Sequence, residues 1–184
     1  SVGLFASRKP FVYVRGNHET RGAYARSFSR YLAGPEGKFY YAFTYGPIRF
    51  VVLDSGEDKP DTDVEYSGLV DFDNYILEQK EWLARELESP EFRAASFRVV
   101  LSHIPFAKGG WYGSERLRKQ LLPLLESVRI DLMLSGHNHA FGFMDKGKVT
   151  AFPIIVNSNN SVLTMFGSED LLKVQVKQID GKVL

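Results

Sequence analysis

The sequence runs to 184 residues, with 23 Lys and Arg against 22 Asp and Glu, 44% apolar side chains and no cysteine. That length and composition suit one soluble domain with a true core, and the charge balance gives no argument for nucleic acid or an anionic membrane surface. Disulfides, thiolate metal sites and a cysteine nucleophile are excluded, and no apolar run reaches the roughly 18 to 20 residues that span a bilayer.

In chain order, Val2 to Ala6 followed by Ser7-Arg8-Lys9-Pro10 reads as the last turn of a helix that Pro10 stops. The N-terminus of this stretch lacks a basic segment, apolar core and small-residue cleavage pattern, which says nothing of a signal peptide in the parent protein, and the compartment stays open. Phe11 to Val14 follows as a short buried strand, and Gly16 permits a sharp turn that brings Asn17 and His18 to the strand end. Between Thr20 and Leu32 the residues Tyr24, Phe28, Tyr31 and Leu32 recur at helical spacing, with Gly34-Pro35 as the stop. Lys38 to Tyr45 and Ile48 to Leu53 form an antiparallel hairpin around Gly46-Pro47, whose aromatics Phe39, Tyr40, Tyr41, Phe43 and Tyr45 serve sheet packing.

Glu57 to Val70 is acidic, aperiodic and rich in turn formers, a long loop of the kind that often carries function. Asp71 or Asp73 caps a helix to about Glu88, with Tyr75, Ile76, Leu83 and Leu87 inward and Glu78, Lys80, Glu81, Arg85 and Glu86 outward. Pro90 ends it, and Phe97 to Leu101 is the next buried strand, which delivers His103. Phe106 to Ser114, with Trp111 and Tyr112 among glycines, is placed to line a cleft or act as a small cap. Ser114 caps a further helix with Leu117, Leu121, Leu124 and Leu125 inward, a kink or fresh start at Pro123, and Arg116, Arg118 and Lys119 on a solvated face.

Ile130 to Leu134 is a third apolar run and leads into Ser135-Gly136-His137-Asn138-His139. Only short strands follow: Phe141 to Asp145 and Val149 to Val156 as a hairpin across Lys146-Gly147, then Val162 to Phe166, then Leu171 to Ile179 with Lys173, Gln175 and Lys177 on a wet face. The chain has four histidines, and each sits just past one of three buried runs. Strand ends are where an open α/β sheet places its ligands. A bare His-x-His is more often a surface loop than a ligand pair, and a lone His before Ile-Pro is ordinarily structural. Three histidine-terminated strands together make a candidate metal site. If the strand runs through His137 and His139, both imidazoles point one way; if Gly136 ends it, a loop aims them separately, as two adjacent ions require.

Gly16-Asn17-His18-Glu19, the strand ending in His103, and Gly136-His137-Asn138-His139, in this order and spacing, resemble the second half of the calcineurin-like metallophosphoesterases. That superfamily includes the purple acid phosphatases and many phosphodiesterases. The family's earlier Asp-x-His and Gly-Asp-x-x-Asp motifs do not occur before Gly16, so the resemblance makes residues 1–184 the C-terminal portion of a single metallophosphoesterase domain. It implies a four-layer α/β/β/α fold, a two-sheet β-sandwich flanked by helices, with its N-terminal part missing. It also implies a phosphoester substrate, cleaved by a phosphatase or phosphodiesterase with two divalent ions; imidazole and oxygen donors admit manganese, iron, zinc or nickel. By the same resemblance Asn17, His103 and His137 belong to one ion and His139 to the other. His18 binds no metal and lies near the leaving oxygen as the catalytic acid or charge-stabilising group. With one ligand for the second ion, this stretch alone is expected to hold metal weakly, to be inactive and, through exposed strand edges, to self-associate. The alternative is a non-catalytic binding or scaffolding module of the same fold, against which the intact His18 argues.

Overall fold

Two hydrophobic faces of one central sheet have to be covered, and two different structures cover them. The computed structural model describes residues 9–32, 34–107 and 110–184. Its main sheet has six strands in the order β1-β2-β3-β4-β6-β5: β1 (Tyr41–Tyr45), β2 (Ile48–Leu53), β3 (Phe97–Ser102), β4 (Leu132–Ser135), β5 (Gly142–Met144) and β6 (Ile154–Val156). The pairs β2–β3, β3–β4 and β4–β6 are parallel, while the edge pairs β1–β2 and β5–β6 are antiparallel. Parallel neighbours need crossovers. Helices α1 (Phe72–Leu87) and α2 (Pro90–Ala94) join β2 to β3, and α3 (Tyr112–Gln120) and α4 (Leu122–Glu126) join β3 to β4.

The strand period of two sends Val51, Leu53, Val100, Met133, Ile154 and Val156 to the helix side, where they meet Ile76, Leu83, Leu87, Leu117, Leu121 and Leu125. Full burial of each such side chain is worth about 1.5–3 kcal/mol. Ile48, Phe50, Phe97, Val99, Leu101, Leu132, Leu134 and Ile155 take the opposite face. There they pack against Met165, Leu172 and Val174 of a separate antiparallel pair, β7 (Ser161–Gly167) and β8 (Leu172–Gln178). The result is a mixed α/β fold in helix, sheet, sheet layers. The outer face of β7–β8, with Val162 and Phe166 each 61% exposed, carries no helix among the described residues, so the expected fourth layer is not among them.

Several local expectations are corrected. Phe11 to Val14 forms no strand: both backbone groups of Tyr13 are taken by one side chain, Tyr13 N–H donating to Tyr41 Oη at 3.1 Å and Tyr41 Oη donating to Tyr13 C=O at 2.8 Å. Thr20 to Leu32 follows a 3-10 turn at Asn17–Thr20 and contains a second 3-10 segment at Ala25–Arg30 but no α-helix. Its aromatic spacing has little to bury against, since Tyr24 and Tyr31 are exposed and only Phe28 packs, on Tyr13 and Phe39. The helical turn expected at Val2 to Ala6 lies outside the described residues. Pro90 opens α2, with Ser89 Oγ accepting from Phe92 N–H at 3.1 Å, so it is a helix start as well as a stop. Ser114 is buried inside α3, where Trp111 holds the cap position. Of the hairpin expected from Phe141 to Asp145 and Val149 to Val156, only Gly142–Met144 and Ile154–Val156 pair.

Candidate metal centre

Because β2, β3 and β4 run parallel, their C-terminal ends share one edge of the sheet, and two of the three histidine segments leave from that edge, after β3 and β4. His103 follows β3 directly and its carbonyl accepts from Gly136 N–H at 3.0 Å, which locks the two segments together. Strand β4 stops at Ser135, so the loop alternative holds for His137 and His139. Both have left-handed backbones, φ 69° and φ 56°, a conformation that costs a non-glycine residue on the order of 1 kcal/mol. The third segment is the Asn17–Thr20 turn. Gly16 before it is extended, with φ −89°, so its role is space and not a turn. A Cβ there would lie 2.6 Å from Glu19 Oε2 and 3.3 Å from His103 Cε1.

These segments bring all five predicted residues, with Glu19, around one cleft of about 310 Å³: Asn17, His18, His103, His137 and His139. Asn17 is 1% exposed, and its Oδ1 lies 3.1 Å from His103 Nε2. His137 Nδ1 lies 3.3 Å from the same nitrogen, with the two rings near perpendicular at 83°. Donor atoms that share one ion at about 2.0–2.1 Å stand roughly 2.9–3.4 Å apart, so this spacing fits a single ion held by Asn17, His103 and His137. Burial, then the neighbouring His137, pushes the His103 pKa down to about 4, and burial also lowers that of His137. Both imidazoles are therefore neutral near pH 7, with lone pairs available to a cation. Asn17 Nδ2 and His137 Nε2 are buried without a partner, the signature of groups not committed to the protein's own hydrogen bonding. His18 and His139 are exposed on the cleft wall. Among the described residues no group of three or more His, Asp, Glu or Cys side chains has metal-holding geometry, so two imidazoles and one amide are the convergent set.

Residues 2–141 match the family model for the calcineurin-like phosphoesterases. The chain belongs to that family. It is 26% identical over 158 residues to purple acid phosphatase 23 of Arabidopsis thaliana, covering 76% of this chain and 30% of that protein. With purple acid phosphatase 1 of Ipomoea batatas it shares 23% over 175 residues, 83% of this chain and 34% of the other. The solved structure of purple acid phosphatase PPD1 from yellow lupin superposes with a TM-score of 0.56 at 16% identity, over 83% of this chain and 33% of that one, which shows a shared fold. The chain thus spans about a third of the length of these relatives. Membership of the phosphoesterases implies divalent metal cofactors.

Beside the histidine cleft lies a network that sequence reasoning missed. Glu57, fully buried in the loop after β2, accepts from Arg21 Nε at 2.9 Å, Arg21 Nη2 at 2.7 Å, Tyr66 Oη at 3.0 Å and also Thr20 Oγ1. Burial pushes its carboxyl pKa up, but these donors outweigh burial and hold it below the ordinary value. Arg15 pairs with Asp54, whose backbone N–H and C=O both bond the buried Gln79 side chain at 2.7 and 2.9 Å. Arg116, expected on a solvated face, is 6% exposed and donates to Glu57 C=O at 2.8 Å and Asp73 Oδ1 at 3.1 Å. Arg118 turns inward too, to the carbonyls of Phe106 and Val149. No local pattern announces these pairs, because each partner lies on a distant segment.

Proposed function

We propose that this domain is the histidine-bearing part of a metal-dependent phosphoester hydrolase. The observation that carries the reading is the meeting of Asn17 Oδ1, His103 Nε2 and His137 Nδ1 at coordination spacing, with both imidazoles neutral at physiological pH. When bound, a divalent ion polarises a phosphoryl oxygen and makes water nucleophilic near neutral pH. Asn17, His103 and His137 would hold that ion, and His139 would supply one donor toward a second whose other ligands the described residues do not provide. His18, exposed on the wall of the same cleft, carries a proton toward the leaving oxygen, a role suited to imidazole. Thr20 and Arg21, bonded to Glu57, hold the turn that presents Asn17 and His18. The stretch described here is on this reading inactive by itself, as one donor does not retain a second ion. The test is a panel of phosphomonoesters and phosphodiesters offered to the full-length protein with added manganese. Hydrolysis that chelation abolishes, and that His137→Ala abolishes, is expected; hydrolysis indifferent to both overturns the proposal.

A further inference from the structure

The cleft wall is polar throughout, made of one amide, one carboxylate and four imidazoles. Among the described residues, one large aromatic side chain packs on the ring of a cleft histidine. The Trp111 ring stands 5.5 Å from the His137 ring at 86°, an edge-to-face contact, yet Trp111 remains 52% exposed. An indole that is only half buried keeps apolar area available for a further contact.

The backbone that follows the Trp111 side chain is held at two points. Its carbonyl accepts from Glu115 N–H at 3.2 Å, and Gly113 N–H donates to Asp58 C=O at 3.1 Å. Gly113 packs so tightly on this loop that a Cβ would lie 2.6 Å from Glu57 O. The next side chain, Tyr112, turns away to the α1 side, with its ring 5.6 Å from the Arg116 guanidinium and its hydroxyl 3.5 Å from Asp73. Consecutive aromatics thus diverge, and Trp111 alone goes to the histidines.

Resting on the phosphoester reading, we infer that Trp111 is a specificity residue that stacks on the alcohol portion of the substrate and selects esters whose leaving group is a flat aromatic ring. The polar wall takes the phosphoryl end and the indole takes the apolar end. The backbone carrying the indole is held and the ring already rests on His137, which lowers the ordering cost of the contact. An aromatic pair of this kind favours an aryl ligand over a small alkyl one by about three- to tenfold.

The test uses full-length, manganese-loaded protein titrated with phenylphosphonate and methylphosphonate, which present the same phosphoryl oxygens with and without a ring. Phenylphosphonate is expected to bind about three- to tenfold more tightly. Trp111→Ala is expected to remove that preference and leave methylphosphonate affinity unchanged, and Trp111→Phe to retain part of it. Unchanged methylphosphonate binding also reports that His137 and the fold are intact. Equal loss for both ligands in Trp111→Ala overturns the inference, since Trp111 then acts only by supporting His137. A preference that survives Trp111→Ala overturns it as well, as does a wild type that binds both phosphonates equally, and in each case the phosphoesterase reading stands. A wild type that binds neither phosphonate overturns both.

Discussion

The histidine cleft and the loop after β2 are neighbours that share the Asn17–Thr20 turn, and they treat their polar groups in opposite ways. In the loop, the Glu57 carboxylate collects donors from Thr20, Arg21 and Tyr66, and the Asp54 carboxylate is bonded by Arg15 and by Gly56 N–H at 3.0 Å. Arg15 Nε, Arg116 Nε and Asp61 Oδ1 lack hydrogen-bond partners, but Arg15 lies 4.1 Å from the Phe39 ring centre, Asp61 Oδ1 stands 3.6 Å from Arg116 Nη1 as an ion pair, and Arg15 Nη2 and both outer nitrogens of Arg116 are bonded. In the cleft, basic nitrogens of His103 and His137 face each other at 3.3 Å, two buried polar atoms of Asn17 and His137 have no partner, and two histidines hold left-handed backbones. The difference separates a region whose charges serve the fold from one whose donors await a ligand.

The sharpest way to break this contrast is His103→Ala. Activity of the full-length protein should fall by at least about 100-fold, beyond what loss of a supporting residue costs. The thermal midpoint of the metal-free protein should hold or rise, because a buried, ligand-directed imidazole no longer has to be desolvated. Activity near wild type would place His103 with the structural residues.

The mirror experiment is Arg21→Met, which leaves Glu57 buried without its cation. Stability at pH 7 should drop by about 2–3 kcal/mol, less than for a fully enclosed pair because Arg21 reaches solvent and Thr20 and Tyr66 still donate. Urea denaturation measures it, and an unchanged midpoint would remove the loop's side of the comparison.

Acid separates the two regions by window. His103 titrates at about 4 in the fold and at roughly 6.5 unfolded, so the unfolded chain binds the extra proton first. The metal-free protein should lose stability as pH falls from about 6.5 toward 4, and His103→Gln should flatten that slope. Glu57, held below its unfolded value, lends stability above roughly pH 4.3 that disappears only as pH falls through its lower folded value. Glu57→Gln should therefore change the slope at the acid end alone. Denaturation midpoints taken through this pH range test both.

The smallest effect calibrates the rest. Arg93 pairs with Glu88 on the surface, with both side chains about two-thirds exposed, and Arg93→Ala should leave the melting curve unchanged. A measurable loss there would mean that ion pairs in this protein stabilise irrespective of burial.

Much of this molecule is legible without coordinates. The apolar runs that became β2, β3 and β4, the helix from Phe72 to Leu87 and the break at Pro123 follow from periodicity and turn chemistry, which act over a few residues. His103 and the His137 segment could be assigned to strand ends for the same reason, since a strand and the residues after it are covalently adjacent, whereas the run before His18 forms no strand. Reading failed where an element depended on a distant partner. Phe11 to Val14 has the composition of a strand, but Tyr41 takes its central hydrogen bonds, and the aromatics from Thr20 to Leu32 have helical spacing without a core beneath them.

From sequence alone came the α/β alternation, the family resemblance and the set Asn17, His18, His103, His137 and His139, because each is carried by local order along the chain. Tertiary structure alone decided that Arg116 is buried, that Glu57 anchors the turn beneath the cleft, that Trp111 and not Tyr112 faces the histidines, and that left-handed residues aim His137 and His139. Arg116 meets Asp73 and Glu57 across 43 and 59 residues of chain. Contacts of that kind exist only once parallel strands have brought their ends to one edge, and no short-range rule of spacing records which side chains will then lie within 3 Å of one another.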